Sequence, residues 1–157
     1  MTYENIITKE YINDNVRPFS GNDSLYCNCV REVISLDMSD LVDSVQNLLL
    51  SDLEGASEQD RNMILSLLDD GLRIVIAYFT YSRALRTAEA TVTKYGYTVK
   101  SNQDSYPADQ DKIVADCTYY KNCAEKYLTI FFKNHPDLKD CDKPVRDQYL
   151  KCKIVGQ

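Results

Sequence analysis

The sequence predicts a mainly α fold: a helical bundle with a projecting loop or β-hairpin between its last two long helices. Three observations predict it. Apolar residues recur at steps of three and four over most of residues 24–134. The first half of segment 72–93 is apolar nearly all round, the mark of a central, buried helix. Residues 91–106 then break the helical period with alternating Thr, Val and Tyr around Gly96.

Residues 1–20 read as an N-terminal arm. Thr8 is placed to cap a short helix over Lys9–Asn15, and Arg17-Pro18 stops it, because a residue before proline is pushed out of helical geometry. A helical domain is expected over 21–135, with helices at about 24–36, 39–53, 58–70, 72–93 and 107–134. Leu25, Cys29, Val33 and Leu36 form the stripe of the first. Ser39 or Asp40 caps the second, whose face is Leu41, Val45, Leu48 and Leu49, and Gly55 ends it. Ser57 opens the third, with Met63, Ile64, Leu67 and Leu68 apolar and Gly71 as punctuation. In the fourth, Arg83, Arg86 and Glu89 turn the second half toward solvent or a partner. Gly96 supplies a left-handed backbone for the segment that follows. Ser105 caps the last helix, with Pro107 in its first turn; Ile113, Cys117, Tyr120, Ala124, Tyr127 and Phe131 share its face. His135-Pro136 ends it, and 136–157 form a tail that docks through Val145, Tyr149 and Ile154.

Composition excludes several classes. A net charge of −6 argues against a protein that coats nucleic acid with a basic surface. No stretch reaches the roughly 18 apolar residues of a membrane span, and the N-terminus lacks a secretory signal, so cytosolic synthesis with six reduced cysteines is expected. C-x-C and C-x5-C spacings do not suit zinc; Cys117 reads as a small hydrophobe on a helix face. Asp37, Asp40 and Asp43 lack the glycine-bearing loop of a calcium site and read as a solvated acidic face. Tyr78, Tyr81, Tyr119, Tyr120 and Tyr127 read as core or interface. Phosphate-binding glycine loops and hydrolase or metalloprotease motifs are missing, so the chain is read as no enzyme, with no cofactor and no metal. Charge is polarised: residues 1–80 hold 5 Lys+Arg against 14 Asp+Glu, net −9, and residues 81–157 hold 13 against 10, net +3. Such a chain suits a heterologous contact between copies, the type that closes into rings.

The ordered segments TKEYI, CVREVISLDMSDLV, SVQNLLLSDL, LRIVIAYFTYSRAL, TVTKYGYTVKSN and KIVADCTYYKNCAEKYLTIFF span most of residues 8–135. In that order they resemble the head-to-tail connector (adaptor or ring) proteins of tailed bacteriophages, those of crAss-like phages above all. In that family a helical bundle supports a projecting loop or hairpin; the matching positions here are Thr93, Gly96, Lys100 and Ser105. The tail 136–157, with Cys141 and Cys152, has no counterpart. The resemblance implies a structural virion protein in the phage neck, made in the host cytoplasm. Its partners would be its own copies in a dodecameric ring, the portal protein and neighbouring tail or ring proteins, with DNA only passing through the channel and no membrane. The candidate interface residues are Arg83, Arg86, Lys94, Tyr95, Gly96, Tyr97 and Lys100. Two other classes stay open. A helical scaffolding or regulatory protein would show an open apolar groove. An enzyme assembled from distant residues would show a deep pocket with a shifted carboxylate or thiol.

Overall fold

A computed structural model describes residues 1–19, 21–88, 90–93, 96–100, 105–107 and 110–143, with the backbone alone described over 88–110. The fold is mainly helical, a bundle of α1 (Lys9–Asn15), α2 (Asp23–Glu32), α3 (Asp43–Leu50), α4 (Glu58–Leu67), α5 (Arg73–Ala88) and α6 (Gln110–Asn134). Between α5 and α6 run three short strands, β1 (Ala90–Thr93), β2 (Gly96–Lys100) and β3 (Ser105–Pro107). They form an antiparallel sheet in the order β1-β2-β3, with Thr93 opposite Gly96 and Lys100 opposite Ser105. Lys94 and Tyr95 lie outside the described residues, as do Val145, Tyr149, Cys152 and Ile154 of the expected tail.

Local chemistry accounts for three helix starts, those of α1, α2 and α4. The Thr8 side chain accepts from the Tyr11 amide at 3.2 Å, Asn22 from Leu25 at 2.8 Å and Ser57 from Asp60 at 3.1 Å. Each satisfies an amide that the first turn leaves without a partner. Two helices continue into π-helical turns: α2 into Val33–Asp37 and α4 into Leu68–Leu72. The second contains Gly71 at φ 125°, a conformation closed to most side chains on backbone grounds alone, since a Cβ there would touch nothing within 4 Å.

Four expectations are corrected. Neither Ser39 nor Asp40 caps α3, which starts at Asp43 without a side-chain cap. The preceding residues are instead drawn into pairing with the C-terminal segment: Leu41 bridges Lys139, and the Val42 amide donates to Leu138 at 2.9 Å. The fourth helix stops at Ala88 rather than 93, because β-branched Thr91, Val92 and Thr93 pair with β2. Ser105 and Pro107 sit in β3 rather than at the start of the last helix, which begins at Gln110.

The fourth correction concerns residues 1–20. The segment read as an arm is part of the core: Tyr3, Ile6, Ile7 and Ile12 are buried in the same cluster as residues of α2 to α6. Hydrogen bonds fasten it at residues 5–7. The Tyr26 hydroxyl donates to the Ile7 carbonyl at 2.6 Å, Arg73 Nε to Ile6 at 3.0 Å and Asn5 Nδ2 to Asp52 at 3.0 Å. Replacing Ile7 by Ala should therefore lower unfolding free energy by about 2–5 kcal/mol, the usual range for truncating a buried Ile, measured by urea denaturation. An unchanged midpoint would return residues 1–20 to the status of an arm.

Candidate functional site

α2, α5 and α6 bound a cleft of about 620 Å³. Cys29, Phe79, Ser82 and Cys117 form its buried side, while Asn28, Arg86, Thr87 and Thr118 stand exposed around it. The two walls are joined where the Ser82 hydroxyl donates to the Cys117 carbonyl at 2.8 Å, bringing α5 and α6 together.

Arg83 crosses the cleft. Its Nε and Nη2 donate to the two Asp37 carboxylate oxygens at 2.5 and 3.1 Å, and Nη1 donates to Glu32 at 3.0 Å. The fork geometry of guanidinium and carboxylate makes this the strong form of ion pair. The Asp37 side chain is only 4% exposed, so the pair is largely out of water. Burial opposes the Arg83 charge, but the hydrogen bonds and charge of Asp37, aided by Glu32, outweigh it and hold the proton above its ordinary affinity. Asp37 reaches this place because it ends the π-helical turn, closed by the Met38 amide donating to Val33 at 2.9 Å.

The acids read as one solvated face are thus separated. Asp37 is buried against Arg83, and Asp43 meets Lys143 at 2.7 Å. The Asp40 carbonyl accepts from the Asp140 amide at 2.8 Å. Arg83, expected at a subunit interface, is engaged within its own chain, whereas Arg86 is exposed at the cleft. Gly96, Tyr97 and Lys100 fall in β2, where only the backbone is described, so the candidate residues are not brought to one described site. Asp37 and Glu32 were missed as partners of Arg83. They lie 46 and 51 residues away in sequence, and no local pattern marks such a pair.

Burial pushes the Cys29 thiol up to about 11, with the Glu32 charge adding to the shift and Arg83 opposing it. Cys117 is buried, as a small hydrophobe would be, and Cys27, Cys29, Cys123 and Cys141 carry free thiols. Of the tyrosines, Tyr81 and Tyr120 are buried and meet edge to face at 4.7 Å between ring centroids. Tyr78 contacts both Tyr120 and Tyr127, while Tyr119 and Tyr127 are exposed on α6. No helix among the described residues is long and apolar enough to cross a membrane. No group of His, Cys, Asp and Glu suited to a metal ion occurs among them.

These features define a helical-bundle protein with a short antiparallel sheet inserted between its two longest helices and a charged cleft bounded by α2, α5 and α6. The chain belongs to a family of unknown function, DUF6712, whose match covers residues 30–130. No curated protein and no solved structure matches the chain.

Two consequences can be measured. Arg83→Glu, alone or with Arg86→Glu, should lower stability by about 3–5 kcal/mol, because it leaves Asp37 buried beside like charge. The same stability as wild type, by chemical denaturation, would dismiss the pair as structural. Native alkylation at pH 8 should modify exposed Cys141 and spare Cys29. The folded state holds the Cys29 proton more tightly than the unfolded one, so this contribution to stability is complete below pH 9 and is lost as pH rises toward 11. Equal labelling of the two thiols would contradict the burial described.

Proposed function

We propose that this chain is a structural virion protein that forms a ring in the neck of a tailed phage, joining portal to tail and extending the DNA channel. The observation that carries the reading is the sheet strung between α5 and α6 on a helical bundle, the position at which connector proteins carry their loop or hairpin. Polarised charge supports it further: an acidic first half and a mildly basic second half suit repeated head-to-tail contacts between copies. In this reading the ring is a dodecamer matching the portal, and residues Lys94 to Lys100 project onto an adjacent ring or subunit. Arg86, exposed at the cleft, remains available for contact, and Arg83 acts by holding the cleft together.

The competing readings draw less support. A partner-helix binder calls for an open apolar groove, but the exposed residues of the cleft are Asn28, Glu32, Arg86, Thr87 and Thr118. For an enzyme with a thiol nucleophile, Cys29 is shifted the wrong way, since an attacking thiol needs a lowered pKa.

Imaging of native particles should locate the chain as a ring between portal and tail; a chain absent from the neck refutes the reading. Replacing residues 94–100 by a Gly-Ser linker should preserve helical content and yield heads that fail to join tails. Normally infectious particles would move the joining surface to the helical faces or the C-terminal tail.

A further inference from the structure

The outer face of α6 is left uncovered by the described residues. Tyr119 is 61% exposed, Ile130 55% and Tyr127 40%. At 3.6 residues per turn, Tyr119, Cys123, Tyr127 and Ile130 fall within about 80° of arc on one side of the helix. Lys126 and Lys133 share that side and are exposed. Neither forms an ion pair with a described residue. Asp116, the acid on the same side, is half-buried, and exposed Glu125 is turned away and faces Lys121 at 3.8 Å. The ridge therefore combines exposed aromatic and aliphatic surface with unneutralised positive charge.

A complementary surface lies elsewhere on the molecule. The N-terminal segment, α1 and α2 enclose a cleft of about 440 Å³, lined by Glu4, Glu10 and Asp23 and floored in part by Tyr26. Lys9, its one lining cation, is already paired with Asp23. Glu4 and Glu10 are exposed and form no ion pair among the described residues. One surface is a convex helix ridge and the other a concavity, and neither the ridge lysines nor Glu4 and Glu10 form an ion pair among the described residues. They are built from different elements, one from α6 and the other from the N-terminal segment, α1 and α2. Two unlike patches that fit one another make a heterologous contact, which propagates from copy to copy.

We propose that the α6 ridge of one copy (Tyr119, Lys126, Tyr127, Ile130, Lys133) docks on the acidic N-terminal cleft of a second copy. The occupant is a second copy because sign and shape match within one sequence, and in taking that occupant the inference rests on the ring reading. Burial of Tyr119 and Ile130 supplies the apolar core of the contact, and the lysine–glutamate pairs set its register.

The test uses the full chain with a photoreactive benzoylphenylalanine at position 130, irradiated at high protein concentration. Mass spectrometry should place the intermolecular junction within residues 2–27. Lys126→Glu with Lys133→Glu should reduce the cross-link about tenfold, from two exposed pairs of up to about 1 kcal/mol each, and Glu4→Lys with Glu10→Lys should restore it. All four side chains are solvent-facing, and circular dichroism checks that each variant is folded. A junction elsewhere, a charge swap without effect, or no intermolecular cross-link at any concentration overturns the proposal. Rings seen in particles with the junction elsewhere would overturn this contact and leave the ring reading standing; particles without the ring refute that reading separately.

Discussion

Helix α5 cannot be left in water, and the rest of the structure follows from covering it. Val75, Ile76, Ala77, Phe79, Tyr81, Ala84 and Leu85 are all buried, and they point around most of its circumference. A helix of this kind needs neighbours on several sides at once. α1 and α2 pack on it, the two π-helical turns flank it, and α6 lies along it as its main partner. The N-terminal segment is recruited for the same reason: Ile6, Ile7 and Ile12 close part of the cluster to which α5 belongs. Family similarity begins only at residue 30, yet the packing of the chain begins at Tyr3.

Where α5 turns polar, a single ion pair takes over the task that apolar packing performs further back. Arg83 would be a buried-edge cation without Asp37, and Asp37 would be a buried anion without Arg83. Their mutual geometry depends on the π-helical turn, which widens the helix by one residue and aims Asp37 inward. π-turns are frequent at functional sites, and here one lines the cleft through Asp37. The pair thus leaves Arg86, three residues on, as the exposed arginine of the two.

The segment after α6 is fastened to residues 40–42 by backbone hydrogen bonds. Leu138, Lys139 and Asp140 pair with residues 40–42, and Lys143 Nζ donates to the Leu41 carbonyl at 2.7 Å. This small bridge takes up the Val42 amide and the Asp40 carbonyl just before α3, while the Val45 amide in its first turn donates to the Val42 carbonyl at 3.1 Å.

By itself the sequence determined what is local. The mainly helical class, the caps at Thr8 and Ser57, the punctuation at Gly71 and the burial of Cys117, Tyr120, Ala124 and Phe131 were legible, because spacing and capping act within a few residues. Of the candidate site, Arg86 was legible as an exposed cation, and the inward commitment of Arg83 was not. Only the tertiary structure decided that residues 1–20 enter the core, that Leu41 bridges Lys139 and that Asp37 faces Arg83. Each of these joins residues tens of positions apart, and such contacts follow from how helices cross, which no periodicity along the chain records.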